Sequence, residues 1–322
     1  MRSLIRSYTA SATLFLPAAL LCCFTATALA QKPQFLAPDA ENIVVIPVRD
    51  NFSMIATGGS NIAVQTGELG MVVVDSGNAE AAPEVLNTLA ELSDLPPSYL
   101  INTSILPRHT AGNSAIHAIG EGVGGGAAIL GMPIIGHTNG LTLLATRFAD
   151  EIPFESWPNN AFFGPRKDLF FNGEGIEMLH QPSAITEGDL MVYFRKSDVL
   201  VTGSILDLSA YPHFYPELGG SLQGVIDALN NIIDITISEF NQQGGTLVIP
   251  GRGRLASESD IVEYRDMVTS VRDREQTMMN DGLSLEDIIS ARPALEYDGI
   301  YGSDAGEWTS SMFLEAVYNE LL

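Results

Sequence analysis

The sequence predicts a four-layer αββα sandwich, two sheets packed face to face with helices on the outside. The order β, β, β, β, α, β occurs twice, in two halves of similar length. The 322 residues are 46% hydrophobic and only 17% charged, enough to bury a large core and unlike a disordered chain. No residue-level repeat accompanies the repeated order.

The first half opens with short strands. Residues 42–48 are apolar (Ile43, Val44, Val45, Ile46, Val48), and 52–56 and 61–65 follow, separated by Gly58-Gly59-Ser60. Gly70 leads into Met71-Val72-Val73-Val74-Asp75, an apolar run that ends in an acid. β-Branched runs with closely spaced turn signals indicate antiparallel sheet here. Over 79–93 the period changes: Ala82, Val85, Leu86, Leu89 and Leu92 recur at helical spacing, and Pro96-Pro97 stops the helix. Tyr99-Leu100-Ile101 is a further strand, and a strand and a helix run on to about Asp150. The glycines of 122–126 read as a turn, because they lack the spacing and the lysine of a phosphate loop.

Residues 151–167, with Trp157, Pro158 and Pro165, read as a connection. Strands are then expected over 169–171, 176–179, 190–194 and 199–202. A helix follows with Leu222, Val225, Ile226, Leu229, Ile232 and Ile233 on one face, and Thr246–Pro250 is a strand. Ser257 with Asp260, and Ser284 with Asp287, form capping boxes that open helices. The last helix buries Met312, Phe313, Ala316, Val317 and Leu321, and the segment from about Glu296 is expected to cover its own core.

Residues 1–30 differ from the rest. Arg2 and Arg6 precede a small, apolar run over 12–21, and Ala28-Leu29-Ala30 precedes Gln31, which together read as an export signal cleaved near Ala30. The apolar run is too short for a stable membrane span. Residues 31–41 form a lead-in. Both cysteines, Cys22 and Cys23, fall in the signal, so the periplasmic or extracellular chain expected after cleavage has neither disulfide nor thiolate ligand. Fourteen basic residues remain against 39 acidic ones, a net charge of −25 that favours solubility and repels nucleic acid and anionic membrane.

Several landmarks resemble, in order, those of the metallo-β-lactamase-fold hydrolases. Met71 to Gly77 is similar to the strand ending in Asp-x-Gly. Leu100 to Thr103, followed by His109-Thr110-Ala111-Gly112-Asn113, is similar to the strand and loop holding T-H-x-H-x-D-H. Thr186-Glu187-Gly188-Asp189 resembles the end of A-H-T-D-G-D, Val199 to Gly203 the strand ending in Gly-Asp, and Ile249 to Gly253 the P-G-H-G turn. The resemblance implies one such domain over 42–275, with a C-terminal helical extension over 276–322 packed on it.

The same resemblance implies a dismantled metal site. Its ligand positions fall on Ser104, Leu106, Arg108, His109, Ile185, Ser204 and Arg252, so His109 alone of the seven retains a ligating side chain. A catalytic zinc needs three protein ligands and an open position, and a guanidinium does not deprotonate in proteins. No cofactor is therefore expected. The expected function is a non-catalytic one, a pseudo-hydrolase acting in binding, scaffolding or regulation of a catalytically intact relative. Its cleft of Ser104, Arg108, His109, Asp189, Ser204 and Arg252 suits a small anionic ligand, if the arginines are not consumed by Asp75 and Asp189. The alternative is a zinc hydrolase with an atypical ligand set, drawing on Glu187 and Asp189 with His109. For metal-free hydrolysis the candidates are Ser104 as nucleophile and His109 as base, with no identifiable orienting acid or oxyanion hole. His117, His137, His180 and His213 lack metal-ligand spacing and are expected to be hydrogen-bonded structural residues.

Overall fold

The computed structural model describes residues 43–122, 131–237 and 245–322, all of them in the unit Phe35–Leu322. The export signal, the lead-in and glycines 124–126 lie outside the described residues.

The first four apolar runs become β1 (Val44–Arg49), β2 (Phe52–Ala56), β3 (Asn61–Gln65) and β4 (Met71–Val74), an antiparallel meander. Helix α1 (Ala82–Leu92) carries the chain across to β5 (Pro97–Ile101), which pairs parallel with β4. Short helices α2 (Pro107–Thr110) and α3 (Asn113–Ile119) follow, then β6 (Ile134–His137), α4 (Thr138–Arg147) and β7 (Asn160–Phe162). These strands make one seven-stranded sheet in sequence order. Strand β7 corrects the reading of 151–167 as bare connection: three residues are too few to show a period, and pairing with β6 is what makes them a strand.

The second half builds a five-stranded sheet from β8 (Arg166–Phe171), β9 (Glu174–His180), β10 (Leu190–Phe194), β11 (Val199–Asp207) and β12 (Leu247–Arg252), in the order β12-β11-β10-β9-β8. Helix α5 (Leu222–Thr236) lies between β11 and β12 in sequence and allows them to pair parallel. The order ββββαβ thus holds in both halves. Four helices follow: α6 (Glu258–Asn280), α7 (Leu285–Ala291), α8 (Asp298–Tyr301) and α9 (Ser310–Leu321). Both expected capping boxes are formed. The division expected between 275 and 276 falls inside α6, which runs unbroken from Glu258 to Asn280.

Three hydrophobic clusters define the layers. Between the sheets lie Phe52, Met54, Val72, Val74 and Ile101 from one side and Ile176, Val192, Phe194, Val201 and Ile249 from the other. Phe52 and Phe194 meet edge to face across this seam with ring centroids 4.7 Å apart. The outer face of the first sheet packs through Val73 and Leu100 on α1 and α3 (Val85, Leu89, Ile116). The outer face of the second packs on α5, α6 and α9 (Leu229, Ile232, Val268, Phe313, Val317). Each such buried side chain contributes about 1.5–3 kcal/mol relative to exposure. Helix α9 therefore packs on the chain's own core. No helix among the described residues is long and apolar enough to cross a membrane.

Candidate functional site

Parallel pairing of β4 with β5, and of β11 with β12, places the carboxyl ends of these strands and the turns that follow them at the site, where open α/β sheets build their crevices. Asp75 follows β4 with φ 65°, a left-handed conformation that Asp tolerates through its short polar side chain. Its N–H donates to the Ile101 carbonyl at 2.8 Å, which ties the turn to β5. Just past β5, Thr103 donates twice to Asp75, from its N–H to Oδ1 at 2.8 Å and from Oγ1 to Oδ2 at 2.6 Å. Leu106 is extended and Pro107 occupies the first helical position of α2, where its fixed φ suits the turn. That turn delivers Arg108 and His109.

His109 is 1% exposed and engaged at both ring nitrogens. Nδ1 lies 2.9 Å from Asp75 Oδ2 and Nε2 lies 2.7 Å from Ser204 Oγ. Thr103 already donates to both oxygens of Asp75, so the carboxylate is an acceptor and Nδ1 carries the imidazole proton. Ser204 Oγ accepts from Arg108 Nε at 3.3 Å and Nη2 at 3.1 Å, leaving its own hydroxyl proton for Nε2. The result is a buried Asp75–His109–Ser204 relay with a guanidinium against the serine oxygen.

Strand β11 delivers Ser204 through a break in its register at Gly203, where φ is 53°. A side chain there would collide with Thr103, and one at Gly251 would collide with the Gly203 carbonyl. Only glycine permits this approach of three backbone segments. Arg252 ends β12 beside Asp207, with Nε to Oδ2 at 3.3 Å, and donates to Ser209 Oγ at 2.6 Å.

Ser204, Arg108 and Arg252 border two cavities. The smaller, about 10 Å³, also touches His109 and Gly251, and it has room for a single water-sized group. The larger, about 460 Å³, is lined by Tyr211, His213 and Tyr215 together with Tyr301 and Trp308 of the C-terminal segment. His213 stacks on Trp308 at 3.9 Å between ring centroids. Burial, with the charge of Arg108 adding to it, pushes the His213 imidazole down to about 4, so it is neutral at neutral pH. Arg108 has no carboxylate within ion-pair distance among the described residues, whereas Arg252 is offset by Asp207. The expected pairing of the arginines with Asp75 or Asp189 is corrected: Asp75 is taken by His109 and Thr103.

The structure brings together Arg108, His109, Ser204 and Arg252, and separates Ser104 and Asp189 from them. Asp189 accepts from the Thr186 N–H at 2.5 Å and from Thr186 Oγ1 at 3.2 Å. Ser104 also hydrogen-bonds to it, and burial pushes this carboxyl up to about 7. His109 therefore faces Ser204, not Ser104. His137 and His180 stack with centroids 3.6 Å apart, and each uses Nε2 on a backbone carbonyl, of Gly164 and Glu187 respectively. Sequence reasoning missed Asp75 as the partner of His109 and the aromatic wall at 301–308. The acid closing the β4 run was the one available signal for Asp75.

The donor set does not fit a zinc ion. Leu106 and Ile185 are buried in the hydrophobic cluster of the second sheet, Arg108 and Arg252 bring positive charge, and both nitrogens of His109 are occupied. Among the described residues no group of three or more His, Cys, Asp or Glu is placed to hold a metal.

No protein-family model and no curated protein matches the chain. Solved structures do. The chain is similar to a double-mutant form of the sec-alkyl sulfatase PisA1, with 14% identity and TM-score 0.66 over 88% of this chain and 51% of that one. It spans about half the length of that sulfatase. It is also similar to a metallo-β-lactamase from Pontibacter korlensis, with 15% identity and TM-score 0.57 over 71% of this chain and 99% of that one. The DIM-1 metallo-β-lactamase gives 15% identity and TM-score 0.55 over 71% and 97%. At these identities the likeness concerns the fold, and this chain has the metallo-β-lactamase fold.

Proposed function

We propose that this chain is an exported, metal-independent binding protein that takes a small organic carboxylate or related anion into its cleft. The observation that carries the reading is Arg108: a half-buried guanidinium, without a carboxylate partner among the described residues, that borders a cavity of about 460 Å³. A planar guanidinium suits carboxylate, sulfate and phosphate through paired N–H donors. Tyr215 and Trp308, both stacked on neutral His213, supply aromatic surface beside it, which favours an aromatic acid over an inorganic ion. The basic, apolar and small-residue pattern of residues 1–30 supports export.

Benzoate, a secondary alkyl sulfate and inorganic phosphate are suitable probes, the alkyl sulfate because one structural neighbour is a sec-alkyl sulfatase. The expected result is a melting shift with benzoate, none with benzamide, and loss of the shift when Arg108→Ala and Arg252→Ala are combined. A benzoate shift unchanged by both substitutions overturns the reading.

A further inference from the structure

We propose that Ser204, His109 and Asp75 form a metal-free nucleophilic triad that cleaves a small carboxylic ester held in this cleft. The inference rests on the carboxylate reading of the cleft, because the acid released is the anion that Arg108 receives. Loss of the metal positions does not bear on metal-free chemistry, and the orienting acid that local spacing does not reveal is Asp75.

Three observations carry it. Ser204 Oγ to His109 Nε2 at 2.7 Å, and His109 Nδ1 to Asp75 Oδ2 at 2.9 Å, are nucleophile-to-base and base-to-orienting-acid contacts in sequence. The hydrogen-bond directions assign the proton to Nδ1, which leaves Nε2 as the base toward Ser204. Ser204, though only 8% exposed, borders the larger cavity, so a carbonyl carbon would reach its oxygen from that cavity once the Arg108 guanidinium shifts from the oxygen to the substrate. Arg108 stands 3.1 Å from the same oxygen and is placed to donate to the carbonyl oxygen as it becomes negative.

The reaction balances without a cofactor. Ser204 Oγ bonds to the ester carbonyl carbon and its proton passes to His109 Nε2. The bond from that carbon to the leaving alkoxy oxygen breaks as His109 returns the proton to it, so an alcohol departs and an acyl group remains on Ser204. Water then adds to the acyl carbon and gives a proton to His109. The Ser204 oxygen leaves with that proton, and the carboxylic acid is released. Asp75 acts through His109 as a positioning residue.

The test exposes the full chain to a fluorophosphonate probe and to p-nitrophenyl benzoate, with benzoate binding measured in parallel. The expected result is one adduct per chain, mapped by peptide mass to Ser204, and ester turnover that falls by about 100-fold or more in Ser204→Ala and in His109→Gln. In Asp75→Asn the amide donates to Nδ1 and puts the imidazole proton on Nε2, so labelling slows while benzoate binding is kept. Absence of an adduct on the wild-type chain while benzoate still binds overturns the triad and leaves the binding reading in place. An adduct on another residue overturns it equally. An adduct on Ser204 without benzoate binding upholds the nucleophile and retires the carboxylate reading. Should the variants fail to fold, the mapped position of the wild-type adduct decides.

Discussion

Gly203 and Thr103 stand so close that a β-carbon on the glycine would overlap the threonine hydroxyl. That contact joins the two sheets at the site. Thr103 holds Asp75 through two hydrogen bonds, and Gly203 sets the kink that presents Ser204. The geometry of the relay is therefore fixed by packing between elements about 100 residues apart in sequence.

Gly203→Ala is expected to destabilise the fold by about 2–4 kcal/mol, combining the left-handed φ with overpacking against Thr103. For a chain of this size that lowers the melting temperature by roughly 5–10 °C. Thermal denaturation followed by circular dichroism measures it, and a melting point equal to wild type would contradict the close approach.

Glu275 lies buried on α6 with neither carboxylate oxygen hydrogen-bonded among the described residues, and burial pushes it up to about 8 from an ordinary 4.5. Asp189 is pushed up to about 7 by the same cause. Above about pH 6.5, where the lowered His137, His180 and His213 are neutral in the folded chain and increasingly so in the unfolded one, these two carboxyls still hold protons that the unfolded chain has released, and stability falls as pH rises toward 8. Wild type is expected to melt higher at pH 6.5 than at pH 8. Glu275→Gln flattens that slope and raises stability at pH 8 by about 1–3 kcal/mol. Urea denaturation at the two pH values reads both effects, and an unchanged slope in the variant would place the titration elsewhere.

Zinc content follows from the donor chemistry. After incubation with zinc and desalting, less than about a tenth of an equivalent per chain is expected by elemental analysis. One or two equivalents, lost in His109→Ala, would mean that the side chains rearrange to build a site and would reinstate the zinc hydrolase reading.

The layer architecture was legible because periodicity is local. The twice-repeated ββββαβ order, the capping boxes at Ser257 and Ser284, and the apolar face of α5 all follow from short-range spacing. Strand β7 was not legible, since three residues carry no period. The cleft candidates Arg108, His109, Ser204 and Arg252 were found through landmark order and do converge. Ser104 shared that warrant, yet its side chain turns to Asp189.

By itself the sequence determined the fold class, and through its resemblance to the metallo-β-lactamase landmarks it pointed to Leu106, Arg108, Ile185 and Arg252 as hydrocarbon and guanidinium at the expected ligand positions. Tertiary structure alone decided what the remaining polar groups do. Asp75, His109 and Ser204 come from three segments, and a hydrogen bond of 2.7 Å depends on strand register, a glycine kink and a buried carboxylate's orientation. None of these is encoded in local spacing, because each is set by contacts between residues distant in the chain.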